Sequence, residues 1–361
     1  MYPPVQNFIN ELEKKNLEQD IIILTTAGRY KSLSRFKTVH TKIKVFRLGQ
    51  SGPGIGKMAR LYYYFIFYVS AMLLLLFKRP GTVLYYETIS SFPAYYYKKF
   101  IKRAASIMVH YHEYTSPTEY EQGMFITRLF HGYEKWLYPR LHWLSHTNNY
   151  RMNLFLKDIY PLQPQHNAII PNYPPSSWYS EKKSIPEEPI QIVYIGALSL
   201  QTMYTKEMAE WVLAQQGKVL WDIYSYNITE DAVEYIRGLN SLWIHLKEGL
   251  DYAALPKVLG QYHIGVILYK GHIANYIYNA PNKLFEYQSA GLQVWVPDVM
   301  TGAMEYVDEK NVRSVNFETL QISSFSTIGL STQFEKDSKQ YLCEASFEPM
   351  LNFLLAGVQK K

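Results

Sequence analysis

The run Tyr278-Asn279-Ala280-Pro281-Asn282-Lys283-Leu284-Phe285-Glu286-Tyr287-Gln288-Ser289-Ala290-Gly291 concentrates the residue types that can do chemistry. Pro281 suits the first turn of a helix, Asn279 or Ala280 its cap, and Gly291 its end before the apolar run Leu292 to Val296. A helix start leaves backbone N–H groups unpaired and carries the positive end of the helix dipole, so it attracts phosphate. Lys283 adds a point charge at that start. Glu286, one turn on, can accept hydrogen bonds from sugar or ribose hydroxyls. The same spacing also describes an ordinary capped amphipathic helix with Lys283 and Glu286 in water, and the residues alone leave both readings open.

His110 and His112 fall on one face at the end of an apolar run, a spacing that can begin a metal site. No later cluster completes the ligand set, so no metal is expected; packing, or a polar role for His112 and Glu113 at the strand end, are the alternatives. Gly49 to Lys57 is rich in glycine but fails the phosphate-loop pattern, with Ser51 where the first Gly belongs and Met58 after the Lys. It reads as a flexible surface loop.

These residues need a scaffold, and short β-branched or apolar runs supply one. Ile21 to Thr26, Thr82 to Tyr86 and Ser106 to Tyr111 read as strands with helix-length stretches between them. After the proline-rich span Pro171 to Pro189, which reads as a linker, the pattern restarts with Gln191 to Tyr194, Val219 to Tyr224, Trp243 to Leu246 and Ile264 to Leu268. Such alternation predicts parallel sheets with crossover helices in two domains. Leu61 to Phe77 carries no charge over 17 residues. A buried helix of the first domain is expected there; a helix touching a membrane surface and a true span are the alternatives.

Over 361 residues, 48% are hydrophobic and 19% charged, which excludes a disordered chain. The 33 tyrosines suit clefts that hold polyhydroxylated ligands. Residues 1 to 180 hold 22 Lys and Arg against 10 Asp and Glu, a balance of +12; the remainder holds 15 against 21, or −6. A basic half suggests an anionic neighbour such as membrane lipid or a phosphorylated acceptor; no nucleic-acid recognition module accompanies it. Cys343 has no cysteine partner, and the N-terminal residues lack the apolar core of a secretory signal, so a cytoplasmic protein is expected.

YNAPNKLFEYQSAG followed by a strand resembles the donor-site signature of GT-B glycosyltransferases of the retaining family 4 type, also called group 1. IVYIGALS at 192–199 resembles the strand and glycine turn that open their C-terminal domain. LDYAALPKVL, AIIPNYP and VHYHEY resemble the helix before a later strand, the entry to the linker and the histidine-bearing strand end of the first domain. The resemblance implies two Rossmann-like doubly wound domains facing across a cleft: residues 1–175 for acceptor, 176–340 for nucleotide sugar, and 341–361 as a helix crossing back. Gly196, Tyr278, Asn279, Ala280, Pro281, Asn282, Lys283, Leu284 and Glu286 are then donor-binding. Gly28, Arg29, Tyr30 and Glu113 are acceptor-binding, and His112 and Glu286 catalytic. Three positions depart from the family: Tyr278 stands where many relatives carry the first glutamate of an E-x7-E pair, and Ala197 and Thr202 replace a usual Arg and Lys, with Lys206 further on. Lys270 joins Lys283 as the candidate to meet diphosphate charge.

The implied function is transfer of a sugar from a nucleotide diphosphate sugar to a glycan or lipid-linked acceptor in cell-surface polysaccharide synthesis, with retention. No cofactor, metal or nucleic acid is required. Contact with an anionic inner membrane face is the expected partner interaction. The alternatives are a non-catalytic sugar-nucleotide-binding scaffold at the membrane and a UDP-sugar 2-epimerase.

Overall fold

The structure is a computed structural model that describes residues 3–28, 38–51, 55–158, 166–180, 188–320 and 341–356. The chain divides into two compact units, residues 1–171 with 344–361, and residues 172–343.

The second unit holds strands β7 Ile190–Ile195, β8 Val219–Ser225, β9 Ile244–Glu248, β10 Ile264–Val266, β11 Gln293–Pro297 and β12 Val312–Val315. They form one parallel sheet in the order β12-β11-β10-β7-β8-β9. Counted within the unit this is 3-2-1-4-5-6, the doubly wound order whose switch point falls between β7 and β10. Residue alternation buries both faces. Ile192, Tyr194, Trp221 and Trp295 pack one side, and Val193, Val294 and Val296 the other.

The first unit holds β1 Ile21–Gly28, β2 Ile43–Ser51, β3 Thr82–Tyr86, β4 Ser106–Tyr111, β5 Trp143–His146 and β6 Asn167–Ile169. Its helices are α1 Pro3–Glu13, α2 Lys57–Lys78, α3 Ser91–Tyr96, α4 Pro117–Gln122, α5 Phe125–Leu137 and α6 Asn149–Asp158. In the second unit these are followed by α7 Thr205–Ala214, α8 Glu230–Gly238, α9 Leu255–Leu259, α10 Ala274–Ile277 and α11 Asn282–Ser289; α12, Cys343–Ala356, lies in the first unit from Glu344 onward.

The first unit departs from the expected pattern in three places. Its strands make two parallel pieces, β1-β2 and β3-β4-β5-β6, with no ladder joining β1 to β3 among the described residues. Gly49, Gln50 and Ser51 end strand β2 rather than lying in a loop, and Gly49 takes φ +68 where Tyr63 presses close; residues 52–54 lie outside the described residues. The charge-free run is helical, but it is not a buried helix. Only Tyr68 and Ala71 of α2 are buried, while Leu61, Tyr62, Phe65, Leu73, Leu76 and Phe77 are exposed. Apolar residues all round one helix explain this, since a single protein core can cover only one side.

The span read as a linker is partly fixed. Trp178 is buried against the Tyr252 ring, with centroids 4.7 Å apart, and the Ser180 N–H donates to the Ser289 carbonyl at 2.8 Å.

Candidate functional site

The switch point of the second unit collects most of the residues singled out above. Strand β7 ends at Ile195 and is followed by Gly196, whose φ of +144 is open to glycine and strained for other residues. Its N–H donates to the Tyr224 carbonyl at 3.0 Å, so the chain turns beside β8. Helix α11 runs back under this turn, starting at Asn282 with Pro281 as its cap, one residue later than the sequence suggests. No side chain caps it. The N–H groups of Asn282 and Lys283 therefore have no acceptor within the helix.

Lys283 lies directly beneath Gly196. A Cβ there would stand 2.6 Å from Lys283 Cε and 2.7 Å from Nζ. The ammonium sits over the rings of Tyr194 and Tyr269, 5.6 and 5.5 Å from their centroids, and donates to Tyr269 Oη at 3.4 Å. Burial by itself would lower the proton affinity of this lysine. The adjoining Tyr269 and Tyr194 and the Glu286 carboxyl outweigh that and hold it above the ordinary lysine range. Burial also raises the phenol of Tyr194 above its ordinary range, so its ring is a neutral neighbour at physiological pH.

Glu286 is 7% exposed, so the solvated-helix reading fails for it. Burial pushes its carboxyl up to about 7, against the opposing pull of Lys283 and a hydrogen bond with Asn282. A carboxyl poised there changes charge over the physiological range and can accept or donate a hydrogen bond.

The other donor candidates separate. Ala280 and Leu284 are buried in the apolar cluster with Val193, Phe285 and Val296, so their side chains face the core, and the Leu284 N–H donates to the Pro281 carbonyl at 3.0 Å. Tyr278 closes α10, and Gly302 presses on its carbonyl, where a Cβ would stand 2.3 Å away. The Asn279 N–H reaches the Tyr276 carbonyl at 3.5 Å. Lys270 is ion-paired with Glu207 at 2.8 Å, so its charge already has an acidic partner and Lys283 is the cation at the helix start. Lys206 is exposed over the Tyr235 ring.

Tyr287 was not foreseen. Its hydroxyl accepts the Ile195 N–H at 3.0 Å and its ring packs on Gly265, tying α11 to β7 and β10 at once. Tyrosine after glutamate in an apolar helix carries no signal of its own; the strand glycine that makes room for the ring is the only hint.

In the first unit, His112 follows β4 and is 6% exposed. Its N–H donates to Glu87 Oε1 at 2.5 Å, and its Nδ1 lies 3.5 Å from the same oxygen. Tyr86 stacks on the ring at 5.4 Å. Glu87, the residue after β3, takes φ +58, a left-handed backbone that costs a residue with a side chain about 1 to 2 kcal/mol. Such an outlier is retained where its side chain is needed in place. His110 is turned to Ser145 Oγ at 2.9 Å, and burial holds it well below the ordinary histidine range, hence neutral. Glu113 is exposed beside His112. Gly28 ends β1 opposite Ser51, and Arg29 and Tyr30 lie outside the described residues.

No family model and no curated protein matches the chain. Solved structures do. Sucrose-phosphate synthase from Thermosynechococcus elongatus matches at a TM-score of 0.65 with 11% identity, over 98% of this chain and 90% of that one. The pneumococcal O-GlcNAc transferase GtfA, in complex with UDP and GlcNAc, matches at 0.55 with 14% identity, over 81% of this chain; this chain spans 60% of that one. UDP-GlcNAc 2-epimerase from Methanocaldococcus jannaschii matches at 0.58 with 11% identity, over 98% and 96%. These likenesses are likenesses of fold, and they agree with the two parallel α/β units: the chain has the GT-B fold.

Proposed function

We propose that the chain is a glycosyltransferase that binds a nucleotide diphosphate sugar at the switch point of its second unit. The observation that carries this is Lys283, half-buried and charged between two tyrosine rings, at a helix start that no side chain caps. That combination suits a diphosphate. When the bond between the anomeric carbon and the diphosphate oxygen breaks, the electron pair goes to that oxygen, and Lys283 with the α11 N–H groups receives the developing charge. Glu286 holds a hydroxyl of the ribose or sugar. The same positive charges make a metal ion unnecessary, so transfer persists in EDTA.

The acceptor is a glycan or lipid-linked sugar bound by the first unit, where Glu87 orients His112 for a polar or proton-accepting role toward the acceptor hydroxyl. Retention at the anomeric carbon, a place in cell-surface polysaccharide synthesis and a cytoplasmic location at the inner membrane face complete the reading. Membrane contact is supported by the exposed apolar side of α2, with Lys57, Arg60, Lys78 and Arg79 at its ends, and by the +12 balance of residues 1 to 180.

A second reading, a UDP-sugar 2-epimerase, draws on the likeness to two such enzymes over 98% of the chain. One experiment separates the two: a panel of nucleotide sugars incubated with and without membrane lipid and oligosaccharide acceptors, with products followed by mass and NMR. Acceptor-dependent release of nucleoside diphosphate supports transfer. Epimerised sugar nucleotide without acceptor supports the second reading, and no turnover with any donor contradicts both.

A further inference from the structure

The missing ladder between β1 and β3 leaves a space with a shape of its own. A cavity of about 1570 Å³ lies there, wholly within the first unit. It follows both strands from Asp20 and Gly81 at their starts to Thr26 and Tyr86 at their ends, with walls from α1, α2 and α3 and from Leu354 and Leu355 of α12. Small-molecule pockets typically measure about 300 to 1,000 Å³. The space is partly open to solvent, but its walls are mostly apolar and offer water few partners. The space calls for an apolar occupant that is long rather than compact.

Helix α2 points to what that occupant is. Tyr64, Phe67, Tyr68, Ala71, Leu74 and Leu75 recur at helical spacing and line the cavity. The opposite side of the same helix is the exposed apolar face. One helix thus presents apolar surface both outward and inward, so the face a bilayer would meet and one wall of the cavity belong to the same element.

The strand ends supply the polar counterpart. Tyr86 lines the cavity, and its hydroxyl is buried without a hydrogen-bond partner. Its ring stacks on His112, and Glu87 follows it directly. An oxygen joining a hydrocarbon chain to its head group would satisfy that hydroxyl while the head group meets Glu87 and His112. In a doubly wound sheet ligands gather at the strand C-terminal ends beside the switch point, which in this unit is the gap between β1 and β3.

We propose that this cavity holds the hydrocarbon chain of a lipid-linked acceptor, with its polar head at Tyr86, Glu87 and His112. The role of the head group rests on the transfer reading; the binding of the chain does not.

The test is a fluorescence titration of the full chain with cis-parinaric acid, with displacement by farnesyl phosphate, alongside calorimetric titration with UDP. Saturable binding is expected. Ala71→Trp, which fills the cavity from α2, should weaken it at least tenfold and Ala71→Leu by less, with UDP affinity unchanged in both. Phe65→Ser, on the outward face of α2, should leave parinaric affinity as it was. If Ala71→Trp lowers the melting temperature sharply, Ala71→Leu carries the comparison. Non-saturable uptake, equal affinity in the Ala71 variants, or loss confined to Phe65→Ser would overturn the proposal, because the chain would then lie on the outer face. Parinaric binding lost on filling in a protein that binds no UDP supports the cavity and removes the donor reading. UDP binding without parinaric binding does the reverse.

Discussion

The Nζ of Lys283 lies 2.7 Å from where a Cβ of Gly196 would be. The turn after β7 and the first turn of α11 therefore share one small space, which glycine leaves to the lysine. Gly196→Ala should displace the ammonium and strain the backbone at φ +144 by about 1 to 3 kcal/mol. UDP affinity is expected to fall about tenfold, with a drop of a few degrees in melting temperature. Calorimetry and a melting curve on one preparation check this, and unchanged affinity would mean that Lys283 does not work from this position.

Glu286→Gln keeps the size of the side chain and removes its charge. Transfer should fall at least tenfold, about 1.4 kcal/mol of transition-state stabilisation. The carboxyl, raised to about 7 from 4.5, binds its proton more tightly in the folded chain. Its contribution to stability is therefore present below pH 4.5 and lost as pH rises through 7. Wild-type melting temperature should decline from pH 5 to pH 8 relative to Glu286→Gln, while donor affinity rises over the same range in wild type alone. Parallel pH profiles for the two proteins would remove the group from this role.

On the acceptor side, Glu87→Gln retains the left-handed backbone but withdraws the charge facing the His112 ring. The KM for acceptor should rise, or kcat fall, several-fold, with UDP affinity intact. A variant that loses UDP affinity, or that transfers like wild type, would contradict the assignment of Glu87 and His112 to acceptor.

Legibility in the sequence followed the range of the forces involved. Thr82–Tyr86 and Ser106–Tyr111 are strands over the residues their apolar runs suggest, and Pro281 marked the start of α11 to within one residue, because propensity and capping act locally. Lys283 at the helix start was readable for the same reason. The burial of Glu286, the ion pair of Lys270 with Glu207 and the tie from Tyr287 to Ile195 depend on residues 63 to 92 positions apart, or on the whole packed unit. Glu87 stayed hidden because its importance lies in its backbone angle. The outward face of α2 was misread because an apolar run cannot say which of its sides the protein covers.

Contact with a membrane through α2 and its basic ends should respond to salt. Attraction to anionic lipid is screened over about 10 Å at 0.1 M. Binding to phosphatidylglycerol vesicles in a flotation assay should fall steeply between low and high salt, and Phe65→Ser with Phe77→Ser should weaken what remains. Association that resists salt and needs detergent would instead mean that α2 inserts.

The central claim is that the second unit grips a diphosphate through Lys283 and the α11 N–H groups, and calorimetric titration of UDP into wild type and Lys283→Ala tests it most directly. Wild type should bind with a single site, and the variant should lose about 1 to 3 kcal/mol, the range of a charge-assisted hydrogen bond. Equal affinity in the two proteins, or a wild type that binds no nucleoside diphosphate at all, would contradict it.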